Sequence, residues 1–304
     1  MNPNPMIVVH GGAGNDKIAE DGCAEAARAG ARTLAMGGDA FAAASAAVVI
    51  LEDDPRFNAG TGSVLGLDGE TIEMDAAIMA CDGRIGAVAC LQHVKNPILV
   101  AQAVAATPHY LLCGEGAQWL ARQLGHGPYY APTRQAIEAH AAMLHQLESA
   151  NQAFPGVDNG AFAQHWNYRS GVPFRAGKAC DTVGAVARDS DGRFAVAGST
   201  GGSAPSLLGR VGDTPIVGSG FYAGALGAIA ATGVGEYIIK HMLARTVYQW
   251  IADGIPLQAA LERGIGLFEP DVDIGLIGVT ATESGNSSNR AMPWFQLHAA
   301  TAGA

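Results

Sequence analysis

Between Asn151 and Cys180 the sequence loses all periodicity. Gly156, Asp158, Gly160, Ser170, Gly171, Pro173 and Gly177 are scattered through it, the composition of a flexible linker. At Asp181 the character switches abruptly. Thr182 to Ala187 alternates as a strand, the Asp-Ser-Asp-Gly run ending at Gly192 makes a turn, and Arg193 to Ala197 returns as a second strand. A loop of such length inside one domain is uncommon unless it has a function. This one stops immediately before a threonine that opens a strand, and any fold must accommodate that junction.

Around it, the patterning alternates helix and strand. A first strand, Met6 to His10, runs into the turn HGGAG. Alanine-rich helices are predicted from about Asp21 to Met36, closed by Gly37 and Gly38, and from Ala40 to Leu51. Short apolar runs between Arg56 and Met79, punctuated by Gly and Asp-Gly, suggest strands joined by turns. Helices are expected at Pro97 to Ala106, Gly114 to Gln123 and Thr133 to Ala150. After the junction the pattern predicts helices at Ala225 to Ile229, Glu236 to Asp253 and Leu257 to Gly264, with last strands at Ile274 to Ala281 and Arg290 to Phe295. Two strand-rich blocks with helices between them imply layers of helix and sheet.

A chain of 304 residues with 49% apolar content can bury one large core or two closely packed ones. Its net charge of -10 would repel phosphates, which argues against nucleic acid or an anionic membrane surface as the main partner and favours a small molecule or peptide. No apolar run is long enough to span a bilayer, and Met1 to Met6 lacks the basic and apolar stretches of a secretory signal, so a cytoplasmic location is expected. The five cysteines fit neither a disulfide framework nor a zinc pattern, and the histidines form no ligand cluster, so no catalytic metal or other cofactor is expected. The 41 glycines are roughly twice the usual ~7% share and follow no collagen-like period, so they serve turns and close backbone approach.

Chemistry concentrates between Asp181 and Gly235. In GRVGD, an arginine fork and an aspartate three residues later can grip the carboxylate and ammonium of an amino acid together, although a solvated salt bridge between Arg210 and Asp213 is the commoner meaning of such a pair standing alone. Thr200-Gly201 and Thr232-Gly233 can turn hydroxyls and N–H groups towards one point, as an oxyanion hole requires.

Taken together, DTVGAVARDSDGRFAVAGSTGG, GRVGDTPIVGSGFYA and ATGVGE resemble the nucleophile region of plant-type asparaginases, isoaspartyl peptidases and glycosylasparaginases. The resemblance continues through HGGAG at 10–14, LEDDPRFNAGTGSV at 51–64, EMDAAIM at 73–79, GAVACLQHVKNPILVAQAV at 86–104, PHYLLCGEGA at 108–117 and AMPW at 291–294. It implies an α/β N-terminal nucleophile hydrolase with a four-layer αββα sandwich, made as one precursor domain of residues 1–304. Self-cleavage between Asp181 and Thr182 would yield an α subunit, 1–181, ending in the linker of about 151–181, and a β subunit, 182–304.

By the same resemblance Thr182 is the nucleophile, its new α-amine the general base, Thr200 its supporting hydroxyl, and Thr232 with Gly233 the oxyanion pair. Arg210 and Asp213 would hold the substrate's α-carboxylate and α-ammonium, with Gly235 beside the pocket and HGGAG shaping its wall. The loop from Leu51 to Val64 resembles one that holds a structural sodium through backbone carbonyls, and an (αβ)2 assembly is implied. The expected activity is hydrolysis of the side-chain amide of L-asparagine or the β-peptide bond of isoaspartyl dipeptides through a β-aspartyl-threonine intermediate. Asp181, where plant-type members usually carry glycine, keeps glycosylasparaginase as an alternative. An uncleaved, amino-acid-binding homologue is the alternative from another class.

Overall fold

The computed structural model describes residues 4–15, 19–149, 165, 167–168, 179–180 and 182–299. The linker, apart from the few of its residues in that range, lies outside them, as does Asp181. Seven strands form one sheet in the order β13-β1-β6-β7-β2-β3-β4, where β1 is Met6–His10, β2 Met74–Ala80, β3 Ile85–Leu91, β4 Leu111–Cys113, β6 Val183–Arg188, β7 Phe194–Thr200 and β13 Trp294–His298. A second sheet has the order β12-β11-β10-β9, with β9 Phe221–Gly224, β10 Gly227–Gly233, β11 Ile274–Thr280 and β12 Ser284–Ser288. Two-residue strands β5 (Ala179–Cys180) and β8 (Ser203–Ala204) pair with each other.

Helices α1 (Glu20–Ala35), α2 (Ala40–Asp53) and α3 (Pro97–Val104) cover the outer face of the large sheet. Helices α4 (Gly114–Gln123) and α5 (Arg134–Ser149) follow in the chain. Helices α6 (Gly235–His241), α7 (Leu243–Ala252) and α8 (Leu257–Ile265) belong to the second half, and α7 and α8 cover the outer face of the small sheet. Between the sheets lies an apolar layer including Val8, Ala77, Val196, Phe221, Ala230 and Ile277. The order is therefore helix, sheet, sheet, helix, as the resemblance implies. With both faces of β2, β6, β7, β10 and β11 covered, their side chains are buried without alternation. This explains their continuous runs of Ala, Val, Ile and Gly.

Local chemistry fixes the ends of the first helices. Asp39 caps α2 by accepting from Ala42 N at 2.9 Å, and Gly37, at φ 84°, releases the chain from α1.

Four expectations are corrected. The run expected as a helix from Ala225 to Ile229 is a turn followed by β10. Its alanines have good helix propensity, but hydrogen bonding to β9 and β11 and burial on both faces override it. The single helix expected from Glu236 to Asp253 is two, broken at Met242, where φ is 42°. The amides of Ala244 and Arg245 are used instead by the carbonyls of Ser219 and Gly218. Between Pro55 and Ile72 there are no strands but a packed loop with one 3-10 turn, Gly60–Gly62, and Arg290 to Phe295 becomes a strand only from Trp294.

Candidate active site

Thr182 stands immediately before β6 and is only 6% exposed. The β6–β7 register pairs Val183 with Ser199, so Thr200 comes level with Thr182 one position on, and on its other side pairs with Asp75 of β2. Thr232, near the end of β10, reaches across from the small sheet. Its hydroxyl accepts from the Thr182 amide at 3.3 Å and donates to the Thr182 carbonyl at 3.2 Å, and the Ala13 amide of HGGAG lies 3.4 Å from it. One hydroxyl thus clamps the backbone on both sides of the Thr182 α-carbon.

The sequence reasoning missed the hydroxyl that touches Thr182 Oγ1. It belongs to Thr214, at 3.4 Å. The Thr200 hydroxyl accepts from Gly202 N at 3.2 Å. Thr214 directly follows Asp213, so a hydroxyl beside the presumed grip was the available signal. Gly233 follows Thr232 at φ 134°, where a Cβ would run into the Asp273 carbonyl, so the backbone here requires glycine.

Arg210 and Asp213 come together, but not as a salt bridge with each other. Arg210, mostly buried, gives its Nε and Nη2 to Glu236 at 2.9 and 2.8 Å, a bidentate pair. Burial works against the charged form of Glu236, but the hydrogen bonds and charge of Arg210 outweigh it and hold its pKa below the usual carboxylate range. Glu236 is the second functional side chain that sequence reasoning missed, immediately after the glycine of ATGVGE.

Asp213 is buried with its Oδ2 unpartnered. Burial pushes its pKa up to about 7 against the attraction of Arg210, and Glu236 and Asp75 add repulsion. Gly235 separates the two. A Cβ there would stand 2.8 Å from both Arg210 Nη2 and Asp213 Oδ1. The result is a cationic fork and an underpartnered carboxylate on either side of a gap kept open by a missing side chain.

The loop after α2 braces this region. Asn58 donates through Nδ2 to the Gly202 carbonyl at 2.7 Å, and its own carbonyl accepts from Gly201 N at 2.9 Å, fixing the STGG turn. His10 is wholly buried and held neutral, its pKa lowered to about 3 by burial. Nδ1 accepts from Gly12 N at 3.3 Å, which leaves the proton on Nε2. Among the described residues no group of three or more His, Cys, Asp or Glu is arranged to hold a metal ion, and no helix is long and apolar enough to cross a membrane.

A four-layer sandwich that delivers a threonine to the mouth of an inner strand is the design of one class of enzyme, the N-terminal nucleophile hydrolases. Comparison with known proteins narrows the class. The family described as asparaginase matches residues 3–296. A plant-type L-asparaginase of Pyrococcus furiosus is 43% identical over 289 residues, covering 90% of this chain and 89% of its own. An isoaspartyl peptidase/L-asparaginase of Macaca fascicularis is 39% identical over 307 residues, covering 96% and 92%. Another of that name, from Danio rerio, is 39% identical over 289 residues, covering 92% and 86%. The chain belongs to the asparaginase family and is a hydrolase.

Proposed function

We propose that this chain is a self-activating amidohydrolase that acts on the side-chain amide of L-asparagine and on β-aspartyl dipeptides. The observation that carries the reading is the placement of Thr182, with the Thr232 and Thr214 hydroxyls in contact with it, on the same part of the fold as the Arg210–Gly235–Asp213 gap. A substrate's α-carboxylate meets Arg210, and its α-ammonium meets Asp213. An arriving cation favours the ionised form of a carboxyl that burial otherwise holds near neutrality, so binding itself charges Asp213.

Cleavage of the Asp181–Thr182 bond turns the Thr182 amide into an α-amine, whose ordinary pKa of about 7.7 to 8.0 leaves a useful neutral fraction near pH 7. That amine takes the proton of Thr182 Oγ1 as the oxygen attacks the β-carbonyl. The oxyanion faces Thr232 Oγ1 and the Gly233 amide. Collapse breaks the C–N bond, the leaving amine or ammonia carries away the proton, and water then hydrolyses the β-aspartyl ester to release aspartate. Thr200 and Thr214 steady the nucleophile.

The finer features follow from the same reading: subunits of residues 1–181 and 182–304, assembled as (αβ)2, with a small molecule or dipeptide as partner. In the loop from Leu51 to Val64 the backbone of Gly60 lies close to the carbonyls of Glu52 and of Lys95 from outside the loop, and that of Gly62 close to those of Pro55 and Phe57. Such hard oxygen donors suit an alkali cation. They support this loop as the place of a structural sodium that stiffens the segment carrying Asn58.

The test is Thr182→Ala beside the wild type. The wild type should resolve into two fragments, the smaller beginning at Thr182, and release leucine from β-Asp-Leu but not from α-Asp-Leu, which offers a side-chain carboxylate to the nucleophile. Thr182→Ala should remain one chain without activity. A cut mapped elsewhere, or equal release from both peptides, overturns the reading.

A further inference from the structure

Asp75 is 2% exposed on β2, directly beside Thr200 in the β2–β7 register. Its two oxygens serve different segments. Oδ1 accepts from Cys90 N at 2.9 Å, and Oδ2 accepts from Gly212 N at 3.3 Å. Gly212 is the residue of GRVGD immediately before Asp213, two after Arg210.

The backbone departs from regularity to make these contacts. The β2–β3 register slips between Met74 and Ala76, and Cys90 takes φ 51°, a conformation that side chains rarely adopt. Burial pushes the Asp75 carboxyl up to about 6 against the pull of both amides and Arg210, with Glu73 adding repulsion. Keeping an ionisable group in so dry a place is costly unless its hydrogen bonds are needed. Both of its contacts are N–H donors, so both oxygens must accept. An asparagine has only one accepting oxygen and would turn its NH2 against one of the amides.

We propose that Asp75 is a positioning residue for substrate recognition: by holding the Gly212 peptide it sets the spacing of the Arg210 and Asp213 side chains across the Gly235 gap. The proposal rests on the assignment of those two side chains to the substrate's α-carboxylate and α-ammonium. The hydrogen bonds that join Thr182, at the start of β6, to Thr232 of β10 do not pass through this peptide, and only Thr214, two residues further along, links it to Thr182 Oγ1, so the effect on kcat is the smaller one. Loss of Asp75 therefore weakens recognition more than it slows bond breaking.

The experiment compares the matured wild type with Asp75→Asn, and with Asp75→Ser, which is small enough to admit a bridging water, on β-Asp-Leu and β-Ala-Leu. The second peptide lacks the α-carboxylate. The expected result is a KM for β-Asp-Leu raised tenfold or more with kcat within a few-fold of wild type. The preference for β-Asp-Leu over β-Ala-Leu should narrow, because a lost spacing falls hardest on the substrate that must meet Arg210 and Asp213 at once, whereas β-Ala-Leu meets Asp213 alone. A merely structural defect would lower both substrates alike, and that outcome, or an unchanged KM, overturns the proposal. Failure of both variants to fold assigns Asp75 to the fold alone and overturns it too. A wild type inactive on β-Asp-Leu removes the functional reading itself, and the proposal falls with it.

Discussion

Glu52 lies near the end of α2 with no exposed surface. Its Oε1 accepts from Ile98 N at 2.9 Å, at the start of α3, and Oε2 has no well-formed partner. Burial pushes its pKa from 4.5 up to about 8, outweighing the nearby Ser199 hydroxyl, the Ile98 amide and the Asn96 side chain. Folded protein therefore keeps this proton over a range where the unfolded chain gives it up. The stabilising contribution is full below pH 4.5 and is lost as the pH rises through 8. At about 1.4 kcal/mol for each pH unit, the ceiling is roughly 5 kcal/mol, and a relaxing interior reduces this to a few kcal/mol. Glu52→Gln keeps an oxygen for Ile98 N and cannot ionise. In a Thr182→Ala background, which keeps one continuous chain, the two proteins should have similar stability at pH 5. By pH 8 the glutamine variant should be more stable by a few kcal/mol, with a Tm higher by about 5 °C or more. Guanidinium melts at half-unit pH steps measure the difference, and groups common to both proteins cancel. A difference that is flat from pH 5 to 8 would refute the burial argument, as would a variant less stable at pH 8.

Gly235→Ala should fill the gap between Arg210 and Asp213 and lower kcat/KM by on the order of 100-fold, about 3 kcal/mol, without preventing the cut at Thr182; steady-state kinetics and a denaturing gel read the two effects. Arg210→Lys keeps the charge but cannot engage Glu236 through two nitrogens, so KM for β-Asp-Leu should rise at least tenfold, and an unchanged KM would remove the fork from recognition. Since burial lifts Asp213 to about 7 and recognition of an ammonium needs its anion, kcat/KM should fall as the pH drops below 7, with a matching loss in the binding of L-aspartate as product inhibitor.

Those parts of the molecule whose chemistry is local were legible in the sequence. Gly37 and Asp39 announce the boundary between α1 and α2, and the Asp189–Gly192 turn announces the β6–β7 hairpin, because a turn or a cap is decided by a few adjacent residues. Alanine-rich β10 was not, since only its two sheet neighbours and two covered faces make it a strand. Polar β12 was missed for the related reason that it is a half-buried edge strand. In the site, Arg210, Asp213, Thr232 and Gly233 could be named from motifs. The partnership of Arg210 with Glu236 could not, because it joins residues 26 apart that the chain brings together only by folding β9 and β10 between them.

In the order β13-β1-β6-β7-β2-β3-β4, strands from before and after residue 181 are interleaved, changing side at three of the junctions. A break at the 181–182 bond would therefore leave two pieces laced through three seams, with five paired positions at β1–β13, five at β1–β6 and six at β2–β7. The small sheet lies wholly in the second piece, but neither piece owns the large one, and each alone would present open strand edges there. The broken chain would remain one cooperative body, parted only by unzipping the middle of its core. Such lacing would let a new chain end form at Thr182 while Val183 and the rest of β6 stayed locked between β1 and β7, so a terminus would be liberated without the side chain beside it drifting away.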